Sequence, residues 1–510
     1  SEPILMIYEP SVIGNPGGSR LVWQVEVTSR ALPIDELVLV DARSAETAFH
    51  FSQIMSAKYR EVYDCGAVYG DACGAPVRVE GQAATGLPDA DTVYDYLGDV
   101  YTFYWSNFGR DSVDGTGMTL KGLVRYCESP PEPCPLQNAY WDKTNNRMMF
   151  GTGFIADDVV GHEVTHGVTS SESALIYWGE SGAINESLSD IFGELVDLGN
   201  GAGTDTPAVR WIVGEDLPVS SYRNMKNPPE FGQPDRRLSS LWYTADGDLR
   251  GVHYNSGVGN KLAYLLTDGD SFNGWTVGGL GITKVAALFY EAQVGLLFPG
   301  ADYYDLYDVL KQAAINNGWT LAERANLERA CRAVEIAFSG TPVAVTNQGF
   351  EGSFPPPGWT VSGGSTQWGR STCNVSGNAT GKAWCAAGGS LPQPSCGYYA
   401  NSMSTWLIYG PFSLANAERA WMELWLWSGV EATFDYVYLG VSTNGASFSG
   451  DFIKASTSSV WVRELLDFNW FGSVVGQPSV WIGLNFTSDP SGNAYYGSYV
   501  DDVLIRKTSC

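Results

Sequence analysis

Apolar side chains recur every three or four positions along DTVYDYLGDVYTFYWSNFGR at 91–110 and ITKVAALFYEAQVGLL at 282–297. That period predicts long helices with one buried face. LERACRAVEIAF at 327–338 and KLAYLL at 261–266 read the same way. Elsewhere the period is two. LVWQVEVTS at 21–29 and ELVLVDARSAET at 36–47 alternate as strands, and WMELWLW at 421–427 and SVWIGLNF at 479–486 do so again far downstream. The texture changes near residue 340. SGTPVAVTN at 339–347 reads as a polar linker, and beyond it come runs of Gly and Ser, short alternating segments and ten of the chain's 18 tryptophans, the pattern of a β-sandwich. The predicted order is a strand segment at 1–60, a β-rich lobe at 61–160, a helical lobe at 161–338, the linker at 339–347 and a sandwich at 348–510. The fold class is α+β followed by an all-β domain.

Chemistry concentrates in the helical lobe. Three of the four histidines, His162, His166 and His253, fall in two short motifs, and the first two frame HEVTH at 162–166. Residues four apart share a helix face, so both imidazoles can bind one zinc ion while Glu163 stands beside a zinc-activated water. Farther on, GAINESLSD at 182–190 places Glu186 and Asp190 four apart on a second helix. Glu186 is the expected third zinc ligand, leaving one position open for water, and Asp190 the expected acceptor for the other ring N–H of a zinc histidine. A polar surface helix would satisfy HExxH alone. The second acidic pair makes metal-assisted amide hydrolysis the better reading.

These residues resemble the thermolysin family of zinc metallopeptidases. GHEVTHGVT at 161–169 and ESGAINESLSDIFGE at 180–194 are similar to its two zinc helices, and NAYW at 138–141 to its substrate-binding edge strand. SYRNMKNP at 221–228 is similar to the segment supplying an arginine, and DLRGVHYNSGVGNK at 248–261 to the one with the catalytic histidine. The resemblance implies a two-lobed peptidase with a zinc cleft between its lobes, hydrolysing peptide bonds on the N-terminal side of large apolar residues. It implies Glu163 as general base, Tyr177 and His253 as donors to the oxyanion, and Asp248 as the group orienting His253. Asn138 and Ala139 would hold an extended substrate, Arg223 would bond its carbonyl, and Val159 and Tyr222 would line the pocket. Asn185 and Asp190 are implied to support the zinc ligands.

The family also implies calcium. Asp158, Asp197 and Glu215 match its carboxylate cluster, with Asp205 an additional ligand. Arg210 and Ile212 stand where a paired site needs acids, so one ion is expected. The strands of 1–60 resemble the end of the family's pro-region, which carries W-x-V-x-V and VDA-x-(T/S) patterns. A latent or partly processed form is thus expected, with the pro-segment as its own partner and any maturation cut within 51–85. FEG at 350–352 and YVDDVLI at 499–505 resemble the jelly-roll modules of bacterial secreted proteases and adhesins, in which Glu351 with Asp501 or Asp502 would share a cation.

Composition narrows the partners. A net charge of −26 repels nucleic acid and anionic membranes. No apolar run reaches the ~18 residues of a membrane span. Nor does a basic, apolar leader stand at Ser1, so a secreted chain whose signal peptide has been removed is expected. The 9 cysteines point to an oxidising compartment. Cys65 with Cys73 and Cys127 with Cys134 close small loops, while Cys373, Cys385, Cys396 and Cys510 are expected to form two more bridges of open connectivity. Cys331, on an amphipathic helix, reads as a buried free thiol.

Two function classes stay open. The favoured one is a secreted zinc endopeptidase acting on peptides and proteins. The alternative is a surface or extracellular structural or adhesive protein built on a latent protease fold. An aminopeptidase is disfavoured, because no GxMEN motif is present. For the sandwich, carbohydrate, a cell surface and another protein remain open as ligands, although alternating tryptophans favour packing over a sugar platform.

Overall fold

The computed structural model describes residues 3–10, 17–28, 35–52, 58–70, 73–204, 206–218, 221–454, 457, 460–492 and 494–509. They divide into two compact units, one formed by residues 1–174, 188–226 and 280–296, the other by 175–187, 227–279 and 297–510.

In the first unit the N-terminal alternating segments pair in sequence order as an antiparallel sheet of β1 (Ile4–Tyr8), β2 (Arg20–Thr28), β3 (Asp35–Asp41) and β4 (Thr47–Ser52). A second sheet contains β5 (Arg60–Asp64), β6 (Arg78–Val79), β7 (Leu120–Val124), β8 (Ala139–Asp142) and β9 (Arg147–Phe150), in the order β6-β5-β7-β9-β8. Strands β5, β7 and β9 are parallel, and the antiparallel β8–β9 pair leaves β8, the NAYW strand, at the edge. The helix predicted at 91–110 is α1 (Pro88–Phe108). A proline starts it and left-handed Gly109 stops it, donating to the Trp105 and Tyr104 carbonyls. Its buried face, including Val93, Leu97 and Tyr104, packs on β5, β7 and α2 (Asp157–Ser171).

Helix α3 (Gly179–Asn200) begins in the second unit and runs on into the first. Where α2 and α3 cross, their backbones touch. A Cβ on Gly193 would lie 2.5 Å from the Asp158 carbonyl oxygen, and one on Gly161 would lie 2.9 Å from Gly193 Cα.

The second unit joins the sandwich to helices of the preceding lobe: α4 (Gly247–Asn255), α5 (Gly257–Thr267), Tyr303–Asn316 and Leu321–Ala333. The last two start with capping boxes built on Asp302 and Thr320. One sandwich sheet has six strands and the other five. In the larger sheet Gly497–Thr508 lies between Lys382–Gly389 and Arg419–Gly429. Val343–Gln348 also pairs with Gly497–Thr508, so most of the linker expected at 339–347 is an edge strand of the sandwich.

The alternating segment WMELWLW lies in the strand Arg419–Gly429 of the larger sheet. Apart from half-buried Trp425 the segment's residues are buried on both faces, because helix residues cover the outer one: Trp421 packs 4.7 Å from the Tyr304 ring and 5.8 Å from Phe338. Buried charges accompany that apolar contact. Arg237 bonds Glu180 and Asp467, and Tyr304 donates to Asp467 at 2.6 Å. Arg463 pairs with Asp302, Asp305 and Glu423.

Cys65–Cys73 and Cys127–Cys134 are disulfides, as is Cys373–Cys396. Cys385 corrects the expectation of a fourth bridge: it is a buried free thiol in mid-strand, accepting from the Ser498 N–H at 3.4 Å. Cys510, the remaining cysteine of that group, lies outside the described residues. Cys331 is a buried free thiol too, and burial pushes its pKa up. Beside Glu351 and Asp501, the buried Lys382 ammonium donates to the Cys373 and Thr380 carbonyls. Burial pulls its pKa down, and the two carboxylates oppose that pull. No helix among the described residues is long and apolar enough to cross a membrane.

Arg237 is 1% exposed between two carboxylates. Arg237→Met should leave both uncompensated and lower stability by about 3–5 kcal/mol, read as a lower urea midpoint at unchanged slope.

Candidate active site

Helix α2 is built by buried Val159, Val160, Val164 and Val168, and it carries His162, Glu163 and His166. The two Nε2 atoms lie 3.0 Å apart. His162 donates from Nδ1 to Asp190 Oδ1 at 2.9 Å, which leaves the lone pair on its Nε2. Ser189 Oγ lies 3.1 Å from His166 Nδ1. Glu186, one turn before Asp190 on α3, completes a group whose three ligand atoms all lie within 4.8 Å of one another. Two nitrogens on one tetrahedral zinc stand about 3.4 Å apart, so the pair needs only slight opening. Two imidazoles and a carboxylate with one position left over are a donor set that fits zinc. Glu163 is buried on the same helix.

In the first unit Asp190 also accepts from Arg223 at 2.5 Å, and the guanidinium lies 4.5 Å from the Tyr222 ring centroid. Val159 is buried, Asn138 is exposed, and Ala139 begins the edge strand β8 with its backbone paired to Phe150. Asn185 is buried beside Glu186 on α3.

The second unit assembles another set. The Tyr177 hydroxyl donates to Glu186 and lies 3.1 Å from His253 Nε2. His253 donates from Nδ1 to Asp248 Oδ1 at 2.6 Å, while Asp248 Oδ2 accepts the His253 backbone N–H at 2.9 Å. Both the tyrosine and the histidine reach solvent, Tyr177 being 37% exposed and the His253 side chain 49%. The turn bearing Asp248 is left-handed through four residues, with φ of 53°, 47°, 71° and 82° at Asp248, Leu249, Arg250 and Gly251. Three of these are not glycine and carry a cost of roughly 1–2 kcal/mol each. A single glycine in DLRG gave no warning of such a turn.

Behind α2 in the first unit stands a buried acidic cluster. Asp158 accepts from the Gly214 and Val159 N–H groups at 2.5 and 2.7 Å, and Glu194 from the Trp211 N–H at 2.6 Å. Among the described residues, Glu194 Oε2, Asp197 Oδ1 and Glu215 Oε2 are buried without a hydrogen-bond donor. Burial, with neighbouring carboxylates such as Asp157, pushes Asp158 up to about 7 and Asp197 up as well. Burial and Asp158 push Glu215 up to about 8. Asp205 lies outside the described residues. Glu194 escaped the sequence reading, yet its signal was present: Glu186, Asp190, Glu194 and Asp197 fall at i, i+4, i+8 and i+11, one acidic stripe down a helix.

Residues 83–170 match a family model described as thermolysin metallopeptidase, catalytic domain, and residues 173–336 match its alpha-helical domain. A zinc metalloproteinase of Renibacterium salmoninarum is 42% identical over 285 residues, 51% of this chain and 52% of that protein. The thermostable neutral protease NprT of Geobacillus stearothermophilus is 37% identical over 255 residues, 47% of this chain and 44% of that protein. The chain thus spans about half the length of the curated relatives it matches. Among solved structures, the precursor of protealysin from Serratia proteamaculans shares 30% identity, covering 55% of this chain and 88% of that one at a TM-score of 0.45.

The touching backbones of α2 and α3 make a test of the metal group. Gly193→Ala should force the helices apart, cost about 1–3 kcal/mol and let a chelator strip zinc at lower concentration, measured as residual metal after dialysis. Gly199→Ala, on the same helix with open space around its Cβ, should do neither.

Proposed function

Because residues 83–336 belong to the thermolysin metallopeptidase family, we propose that the chain is a secreted zinc-dependent endopeptidase that cuts peptide bonds on the N-terminal side of large apolar residues. The observation that carries this reading is the group of His162, His166 and Glu186, with Glu163 on the same helix as the histidines. Zinc, when bound there, supplies the Lewis acidity that acidifies a water and polarises the scissile carbonyl.

The chain's own residues do the rest. Glu163 takes the water's proton and passes it to the leaving nitrogen. Asp190 holds His162 in its Nδ1–H tautomer. Tyr177 and His253, the latter steadied by Asp248, donate to the oxygen on which negative charge develops. Arg223, anchored on Asp190, bonds the carbonyl on the leaving-group side, and Asn138 with the edge strand β8 pairs with an extended peptide. Val159 and Tyr222 line the pocket beyond the cut bond.

Three disulfides support an extracytoplasmic life. We read the β1–β4 sheet as retained pro-segment. Asp158, Asp197 and Glu215 are proposed to hold one calcium ion, joined by Glu194, because buried carboxylate oxygens without donors suit a hard cation.

A quenched peptide with Phe or Leu after the scissile bond should be cleaved by the chain, and a zinc chelator should stop it. Glu163→Gln should lower the rate about 10²–10⁴-fold with zinc still bound. Equal cleavage by the variant would remove Glu163 as the base, and none by wild type even after limited proteolysis of residues 1–60 would transfer the case to the structural or adhesive reading.

Calcium has a separate signature in stability. Without the ion, folded Asp158 and Glu215 hold their protons up to about pH 7 and 8, against 3.8 and 4.5 for the free groups. Folding then takes up protons, so their stabilising contribution is full below about pH 4 and is lost as pH rises through 7 to 8. Chelated protein should therefore show a falling Tm from pH 5 to 8. Added calcium should restore Tm at pH 8 and change it little at pH 5.

A further inference from the structure

Tyr177 and His253 are both backed by one residue of the sandwich. Ile176 and Trp178 pack with the sandwich core, while Tyr177 between them emerges toward His253. Trp178, 6% exposed, donates its indole N–H to Glu464 Oε1 at 2.6 Å, across 286 residues of sequence. Glu464 is 5% exposed on the strand Val462–Asp467, whose Val462 and Leu466 belong to the same core. Its second oxygen lies 3.4 Å from Arg250.

Arg250 is the third residue of the left-handed turn that presents Asp248 and His253. It is 8% exposed, and its guanidinium also donates to the carbonyls of Thr244 at 2.8 Å and Phe452 at 3.2 Å, with Asp246 and Asp451 at 3.5 and 3.9 Å. A turn that L-residues disfavour is thus pinned by a buried cation, and two of the three acids facing that cation come from the sandwich. The Glu464 carboxylate holds the tyrosine's neighbour with one oxygen and the histidine's turn with the other.

We propose that Glu464 is a positioning residue for peptide hydrolysis: through Trp178 and Arg250 it fixes Tyr177 and the Asp248–His253 pair relative to each other, which makes the sandwich part of the catalytic apparatus. The proposal rests on the endopeptidase reading above. It goes beyond that reading, because it assigns the sandwich a role in the rate of the reaction in place of a role in targeting.

The test uses the full zinc-loaded chain and the quenched peptide. Glu464→Ala should lower kcat roughly 10- to 100-fold with KM within about twofold, and should weaken a phosphinic peptide, which mimics the tetrahedral species, in the same proportion. Zinc content should stay that of wild type. Glu464→Gln keeps the acceptor for Trp178 and should fall between wild type and alanine. Trp178→Phe removes the indole donor without touching Glu464, so it carries the test if the alanine variant does not fold. It should lower kcat on its own and add less than its separate effect to Glu464→Gln.

Wild-type kcat in both Glu464→Ala and Trp178→Phe at equal zinc content would overturn the proposal and leave the endopeptidase intact. A rate loss that follows only the fraction of chain still holding zinc would also overturn it, reducing Glu464 to a structural residue. An inactive wild type would overturn both readings together.

Discussion

Burying carboxylates along one helix is the constraint that organises this molecule. Glu180, Glu186, Asp190, Glu194 and Asp197 descend α3, and the last four are almost wholly buried. A buried carboxylate is tolerated only with a cation or several N–H donors. Each of these acids meets that demand differently. Glu180 has Arg237, Asp190 has His162 and Arg223, and Glu194 has a backbone N–H. Glu186 belongs with two imidazoles in the zinc group. Asp197 faces the cluster we assign to calcium. On this reading metal is as much a demand of the helix as of the chemistry.

Closeness is the second demand. Ligands on two helices can share an ion only if the helices approach, and at Gly161 and Gly193 the approach is backbone against backbone. Where the chain instead needs an awkward shape, at 248–251, it uses electrostatics: a buried guanidinium ties the turn to carbonyls and acids on several segments. The cost of left-handed backbone is then offset by charges that would themselves be unstable without one another.

What could be read from sequence follows from how local the signal is. The grouping of His162, His166 and Glu186 was legible because helical spacing puts His162 with His166, and Glu186 with Asp190, on faces that the 3.6-residue period fixes. Helices at 88–108 and 257–267 were legible for the same reason, whereas the edge strand at 139–142 was expected only from the family resemblance of NAYW. The sandwich was visible as alternation, yet the cover on the outer face of WMELWLW was not, because it comes from Tyr304 and Phe338, more than 80 residues away in the chain. The strand at 343–348 was hidden by its polar composition, and its partner lies at the far end of the sheet-forming region. Cys385 could not be told from its neighbours, since pairing depends on which thiols face each other. Glu464 carried no signal at all: nothing in VRELLD distinguishes a residue that reaches Trp178 from an ordinary strand glutamate.

The placement of Gly497–Thr508 in the larger sheet bears on when this chain can begin to work. That strand lies between Lys382–Gly389 and Arg419–Gly429, so the sheet stays split until it arrives, and with it the core that receives Trp178. Every residue proposed to bind zinc or act on the peptide precedes position 260. A ribosome making the chain from its N-terminus therefore releases all the hydrolytic groups long before the strand that closes their support. On the endopeptidase reading, the order of synthesis thus places completion of the core around Trp178 after that of the group formed by His162, His166 and Glu186.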